Sequence, residues 1–176
     1  MRQTVTYPSS FILIAATNPC PCGYYGSNER YCTCSPQQIH AYQQKASGPL
    51  LDRLDFFLTL KSVGIHSQSM GERSEKIRIR TTKAREIQRV RYHNQFLNGN
   101  APAQLIQEAC VLTEMQSQYL KSICYNQKWS NRTQLKIMRV ARTIADLASC
   151  HVVKQEHLEE AITWKKQSVN QETIIG

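Results

Sequence analysis

Phe11-Ile12-Leu13-Ile14-Ala15-Ala16-Thr17-Asn18-Pro19-Cys20-Pro21-Cys22-Gly23 decides how the rest of the chain reads. Its first six residues are continuously apolar and of strand length. A run that is apolar on both faces fits a buried strand of a parallel sheet better than a half-exposed one. Thr17-Asn18-Pro19 ends the run, because Asn favours turns and Pro cannot donate to a ladder. Open α/β sheets place their ligands at the C-terminal ends of such strands. Asn18 is therefore a candidate contact to a phosphate or to an attacking water, or else a simple turn residue.

Working outward, Cys20-Pro21-Cys22 and Cys32-Thr33-Cys34 flank a polar loop. Two Cys-x-Cys pairs can supply four thiolates to a tetrahedral site, with Zn²⁺ the usual occupant. A loop this polar has little core of its own, so a metal would order it; four reduced thiols in a surface loop is the alternative. The chain has seven cysteines in all. An odd number with no secretory signal argues against a disulfide scaffold. Cys110, Cys124 and Cys150 sit in or beside helical patterns and read as small core residues.

Ser35-Pro36-Gln37-Gln38 opens a helix, with Ser as N-cap, Pro at the first helical position and Gln at the third. Gly48-Pro49 stops it, and Asp55 to Leu60 reads as a second short buried strand. Between them Arg53 stands among Asp52 and Asp55. It is either locally ion-paired or offered to a phosphate on a neighbouring molecule, a role that suits its planar, permanently charged fork. Lys61 to Gly71 has no clear period.

Arg73 to Asn98 reads as a long basic helix with an imperfect apolar stripe of Ile77, Ala84, Ile87 and Val90. It is either a solvated helix or a surface that tracks phosphates. Thr113-Glu114-Met115-Gln116 is a capping box, and the helix it opens is expected to turn Met115, Tyr119, Leu120 and Ile123 inward. Ser130 or Asn131 caps the next, where Ile137, Val140, Ile144 and Leu147 outline an apolar face. Arg132, Arg139 and Arg142 share another face of that helix by spacing, either solvated or available to an anion. A last helix runs from about Gln155 to Lys166. Three or four antiparallel helices with short loops make a small bundle.

The chain has 176 residues and is 41% apolar, enough for one domain or two small ones. A net charge of +9 suits a polyanionic partner, nucleic acid or nucleotide phosphate. No apolar run has membrane-spanning length, so the expectation is a soluble, cytoplasmic protein without a membrane partner.

Ala15 to Gly26, then Cys32-x-Cys34, then Ser47-Gly48-Pro49-Leu50-Leu51-Asp52-Arg53-Leu54-Asp55 resemble the magnesium-chelatase-like AAA+ ATPases of the ComM/YifB type. Arg139-Val140-Ala141-Arg142-Thr143-Ile144-Ala145-Asp146-Leu147 resembles the signature of that family's C-terminal helical domain. The resemblance implies an α/β plus all-α chain: the C-terminal part of an AAA+ α/β core over 1–65, a hinge over 66–72, a helical lid over 73–170 and a tail over 171–176. It implies that Asn18 is sensor 1, which orients the attacking water. Arg53 matches the arginine finger, which reaches the ATP of the next subunit and stabilises transition-state charge. Arg132 matches the sensor-2 arginine of the lid, with Arg139 or Arg142 as alternatives, because Ser130-Asn131-Arg132-Thr133-Gln134 departs from the Ser-Ala-Arg pattern of relatives.

The resemblance also implies ATP and Mg²⁺ as cofactors, self-association as a ring, a hexamer in the intact protein, and DNA as partner, with a helicase or branch-migration role in DNA uptake and recombination. One departure is large. No Gly-Lys pair occurs in the chain, so the Gly-rich phosphate loop is missing, as is the acidic Walker B strand. The chain alone is therefore expected to hydrolyse ATP negligibly. Two other readings stand beside this one: a stand-alone zinc-stabilised, basic DNA- or protein-binding module, and a magnesium chelatase subunit proper. The cysteine loop argues against the latter.

Overall fold

A computed structural model of the chain describes residues 4–6, 11–45, 53–60 and 71–175, with side chains to Lys166. The described residues form six helices and no strand: α1 (Pro36–Gln43), α2 (Ser74–Arg91), α3 (Ala103–Ala109), α4 (Glu114–Asn126), α5 (Asn131–Leu147) and α6 (Gln155–Ile175). Two compact units divide the chain, one of residues 1–47 with 175–176, the other of residues 48–174.

The first unit is a loop and one helix. Ser35 accepts from the Gln38 backbone N–H while the Gln38 side chain accepts from the Ser35 N–H, so the expected capping box and Pro36 start α1 as the sequence says. The expected strand at Phe11 to Ala16 is not formed. Among the described residues the run carries no regular structure and pairs with no other segment, and Ile14 is 90% exposed. A lone strand has no ladder partner, and its backbone groups must turn to water instead. The second expected strand, Asp55 to Leu60, is likewise irregular and mostly exposed. The α/β part of the expected fold is thus absent among the described residues, and the helical part is present. Gly48-Pro49, Asp52 and most of the expected hinge over 66–72 lie outside the described residues.

The second unit is built around α5, against which α2, α3 and α4 all pack. Ser130 is its N-cap, receiving the Thr133 N–H, and Thr113 with Gln116 forms the expected capping box of α4. The core gathers Ile106, Leu120, Ile137, Ala141, Ala145, Leu158, Ala161 and Ile162. Cys110 and Cys124 are buried in it as expected, and burial pushes their thiols up, Cys110 to about 11. That marks them as inert packing groups.

Two expected faces are rotated. On α4 the buried row is Gln116, Leu120 and Cys124, while Met115 is 82% exposed. Gln116 goes inside because its amide donates to the Val153 carbonyl, a long-range bond that no local pattern announces. On α5 the fully buried row is Ile137, Ala141 and Ala145 together with the polar pair Arg142 and Asp146. Val140, Ile144 and Leu147 are half-buried at its margin. α2 is exposed over its first ten residues, with only Ala84 and Gln88 buried. The last helix extends beyond its expected end to Ile175.

Candidate functional site

The four clustered cysteines converge. Their sulfurs all lie within 4.8 Å of one another. Cys20 stands 3.3 Å from Cys22 and 3.7 Å from Cys32, and Cys22 stands 3.5 Å from Cys32. Tetrahedral zinc with bonds of about 2.3 Å sets its sulfurs about 3.8 Å apart, so the spacing fits a closed Cys₄ site. The knuckle that arranges this is local. Gly23 at φ +83° lets its N–H reach back to the Cys20 carbonyl at 3.0 Å, and the Tyr25 N–H donates to the Cys20 sulfur at 3.3 Å. Gln43 of α1 donates to the Pro19 carbonyl at 3.0 Å and fastens the loop to the helix.

The charges inside the cluster also fit a cation. A backbone hydrogen bond from Tyr24 holds the Cys22 thiol down at about 6, against the opposing effect of desolvation. For Cys32 the Cys34 N–H pulls downward, but burial and the neighbouring Cys22 and Cys20 thiols outweigh it and push the thiol up to about 12. Thiols this close titrate as a group, and four thiolates cannot share the space without a positive ion among them. The donor set is soft and complete, which selects zinc over harder ions.

Asn18 lies just before the knuckle, exposed, with its carboxamide 3.8 Å from where a Cβ on Gly23 would stand. It belongs to the first compact unit and Arg53 to the second. Arg53 is exposed. Its neighbour Leu54 accepts a hydrogen bond from Lys136 Nζ of α5 at 2.9 Å.

The three α5 arginines are not brought together. Arg132 is exposed in the first turn. Arg139 is half-buried and donates to the Ala101 carbonyl at 2.7 Å. Arg142 is 1% exposed. Its guanidinium donates to Asp146 Oδ1 through Nε at 3.2 Å and through a terminal nitrogen at 2.8 Å, and to the carbonyls of His151 and Cys150. The sequence reading that set Arg142 on a shared anion-facing side is corrected here. Its fork is spent inside the core, and an incoming phosphate would have to displace a buried carboxylate.

That carboxylate is the hub of a network the sequence reading missed. Asp146 also accepts both terminal nitrogens of Arg91, from the end of α2. The fully buried Asn98 donates to Asp146 at 2.8 Å and to Thr143 at 3.1 Å, and accepts from Arg91 and from the Tyr92 hydroxyl. Its backbone N–H reaches the buried Gln88 at 3.0 Å. Every buried polar group in this cluster is satisfied, which is the condition under which such a network specifies one packing. The Arg-Thr-x-x-Asp run of 142, 143 and 146 on one helix was the only signal available, and it reads equally well as a surface motif.

On α2 the basic residues line an exposed face. Near its C-terminal end Arg85, Arg89, Asn94, Phe96 and Asn100 border an open hollow of about 270 Å³. The described residues thus offer exposed guanidinium groups to an anion, but with no Gly-Lys loop in the chain they form no cradle for ATP and Mg²⁺ by themselves.

A cysteine knuckle followed by a helical unit locked by a buried ion cluster is the architecture at hand, and comparison with known families gives it a place. Residues 71–165 match the model of "Magnesium chelatase, subunit ChlI C-terminal", and residues 1–68 match that of "Magnesium chelatase, subunit ChlI". The chain is 38% identical to YifB of Salmonella typhimurium over 168 residues, which is 93% of this chain and 32% of that protein. It is 35% identical to the competence protein ComM of Haemophilus influenzae over 168 residues, 92% of this chain and 32% of that one. A Mycobacterium tuberculosis protein is 32% identical over 146 residues, 81% of this chain and 29% of its own. The chain belongs to the magnesium-chelatase-like AAA+ family, in its ComM/YifB type. It spans about a third of the length of these curated relatives.

Proposed function

We propose that this chain supplies the sensor and arginine-finger elements of an ATP-driven ring motor acting on DNA. The observation that carries the reading is the family membership together with the exposure of the residues its motifs assign. Asn18, Arg53 and Arg132 all face solvent, where a nucleotide or a neighbouring subunit can reach them. Arg132 is preferred over Arg139 and Arg142 as the lid contact because the latter two are committed to carbonyls and to Asp146. In this reading ATP with Mg²⁺, cradled by a phosphate loop outside these residues, supplies the phosphoryl-transfer chemistry. Asn18 orients the attacking water through its carboxamide. Arg53 stabilises charge on the γ-phosphoryl oxygens from the adjacent subunit. Cys20, Cys22, Cys32 and Cys34 hold a zinc ion that fixes the loop directly after Asn18, so the metal is structural and takes no part in a chemical step.

The name of the relative ComM supports a place in competence, and the exposed basic face of α2 supports DNA as the track. The test begins upstream: the coding sequence before Met1 at its natural locus is read for an in-frame Gly-Lys-Ser/Thr loop and an acidic strand. The protein expressed with that region should turn over Mg-ATP in a DNA-stimulated manner. Arg53→Ala and Asn18→Ala should each lose most of that turnover, on the order of 10³-fold for the arginine. Wild-type turnover that survives Arg53→Ala would sink the assignment.

A second reading is a zinc-stabilised basic module that binds nucleic acid without hydrolysis, favoured by the converging thiols and by the hollow between Arg85, Arg89 and Phe96. It predicts that the 176-residue chain binds DNA by itself with a steep salt dependence.

A further inference from the structure

Residues 53–60 form neither helix nor strand, yet they are pinned to the helical unit at two points. The Leu54 carbonyl accepts from Lys136 Nζ on α5 at 2.9 Å, across 82 residues of sequence. Two residues further on, the Phe56 ring meets Trp164 of α6 edge-to-face, with centroids 6.0 Å apart and planes at 85°. Both anchors lie within one compact unit. The ammonium–carbonyl bond is charge-assisted and partly screened from solvent, since Leu54 and Lys136 are both half-buried. The edge-to-face geometry is the favourable one for two aromatic rings.

Lys136 stands one turn after Arg132, so the two share a face of α5. Helical side chains lean towards the N-terminus, which carries the Lys136 stem back over the Arg132 turn. One strip of α5 therefore bears a solvent-facing arginine and the anchor of the segment that starts with Arg53. The family model that covers residues 1–68 groups this segment with the residues that precede it, whereas its contacts tie it to the helices.

We infer that Lys136 is a positioning residue: through the Leu54 carbonyl it holds the backbone beside Arg53 against α5, so that Arg53 moves as one body with the helical unit. The functional half of this rests on Arg53 being the arginine finger proposed above. A shift of the helical unit then sets the reach of Arg53 directly, with no separate spring between them. Lysine suits the task because its ammonium is a compact donor on a long stem that can follow a carbonyl.

Two measurements test it. In the 176-residue chain, Lys136→Met keeps the stem and removes the donor. Tryptic cleavage after Arg53, followed by mass spectrometry, should accelerate about tenfold, the factor expected for losing about 1.4 kcal/mol of local closure. Lys136→Arg should restore the wild-type rate. Unchanged melting by circular dichroism in both variants shows that the fold is intact. In the longer protein with its phosphate loop, Lys136→Met should lower kcat about 10- to 100-fold with KM little changed, as expected for a misplaced transition-state contact. Adding Lys136→Met to Arg53→Ala should then cost nothing further. An unchanged cleavage rate overturns the tether. Faster cleavage with unchanged turnover overturns the positioning role. Absence of turnover in the wild type sinks the finger reading of Arg53, while proteolysis still decides whether Lys136 holds the segment.

Discussion

Asp146 stands one helical turn after Arg142, and its Oδ1 receives two of that arginine's N–H bonds in a space closed to water. Arg91 completes the cluster from another helix. Two guanidinium groups share one carboxylate, and each has further acceptors. This is the geometry in which removing one partner costs far more than the pair itself contributes.

Asp146→Asn should accordingly destabilise the helical unit by about 3–5 kcal/mol, because it leaves Arg142 charged, buried and under-partnered. Urea unfolding followed by circular dichroism reads this directly. A midpoint within experimental error of the wild type would show that the cluster contributes nothing to stability.

Leu120 and Met115 lie on one helix and test its rotation. Leu120→Ala should cost about 2–5 kcal/mol, since the side chain is fully buried and leaves a cavity. Met115→Ala should stay within about 0.5 kcal/mol, as for other surface changes. Equal costs would mean that the inward face of α4 is the one its sequence pattern suggested.

Cys110 gives the helical unit an alkaline sensitivity of known sign. Its folded pKa, about 11, lies above the ordinary 9.0. The folded state therefore keeps its proton where the unfolded chain loses it. The stabilising difference is complete below pH 9 and is lost as pH rises towards 11. The loss amounts to about 2–3 kcal/mol at 1.36 kcal/mol per unit. Cys110→Ala should flatten that slope while costing little near neutrality, and thermal melts of both proteins between pH 8 and 11 will reveal it. Parallel curves would refute the assignment.

Zinc should co-purify with the chain at one ion per molecule and be lost from a Cys22→Ser variant. Chelation should abolish protection of the 20–34 loop from proteolysis and leave the urea midpoint of the helical unit unchanged, because the thiols and the helical core lie in different compact units. Four thiols that react freely with a thiol reagent before and after chelation would exclude a bound ion.

What the sequence made legible was local. Ser35, Thr113 and Ser130 cap helices as their spacing demands, because a cap is decided within four residues. The four cysteines converge within one short stretch of chain, 20–34, whose first turn closes at Gly23. The misreadings were all non-local. Gln116 is inward because of Val153, and Arg142 is inward because of Asp146, Cys150 and His151. Lys136 gave no sign of its bond to Leu54, and Asn98 read only as the end of a basic helix although it joins α2 to α5. The Phe11 to Ala16 run had the composition of a buried strand and pairs with no segment among the described residues. Periodicity ranks residues by polarity, so it misplaces any polar side chain whose partner is distant in sequence.

The bare Phe11–Ile14 ribbon has a consequence for handling and for folding order. The helical unit gathers α2, α3 and α4 on α5, so most of its contacts join helices that are not successive in the chain, and such contacts form later than local ones. Phe11, Ile12, Leu13 and Ile14 are exposed, and they form an uncharged, proline-free apolar run of the kind that seeds intermolecular β-pairing. Aggregation of this chain should therefore be governed by concentration more than by the stability of its helices.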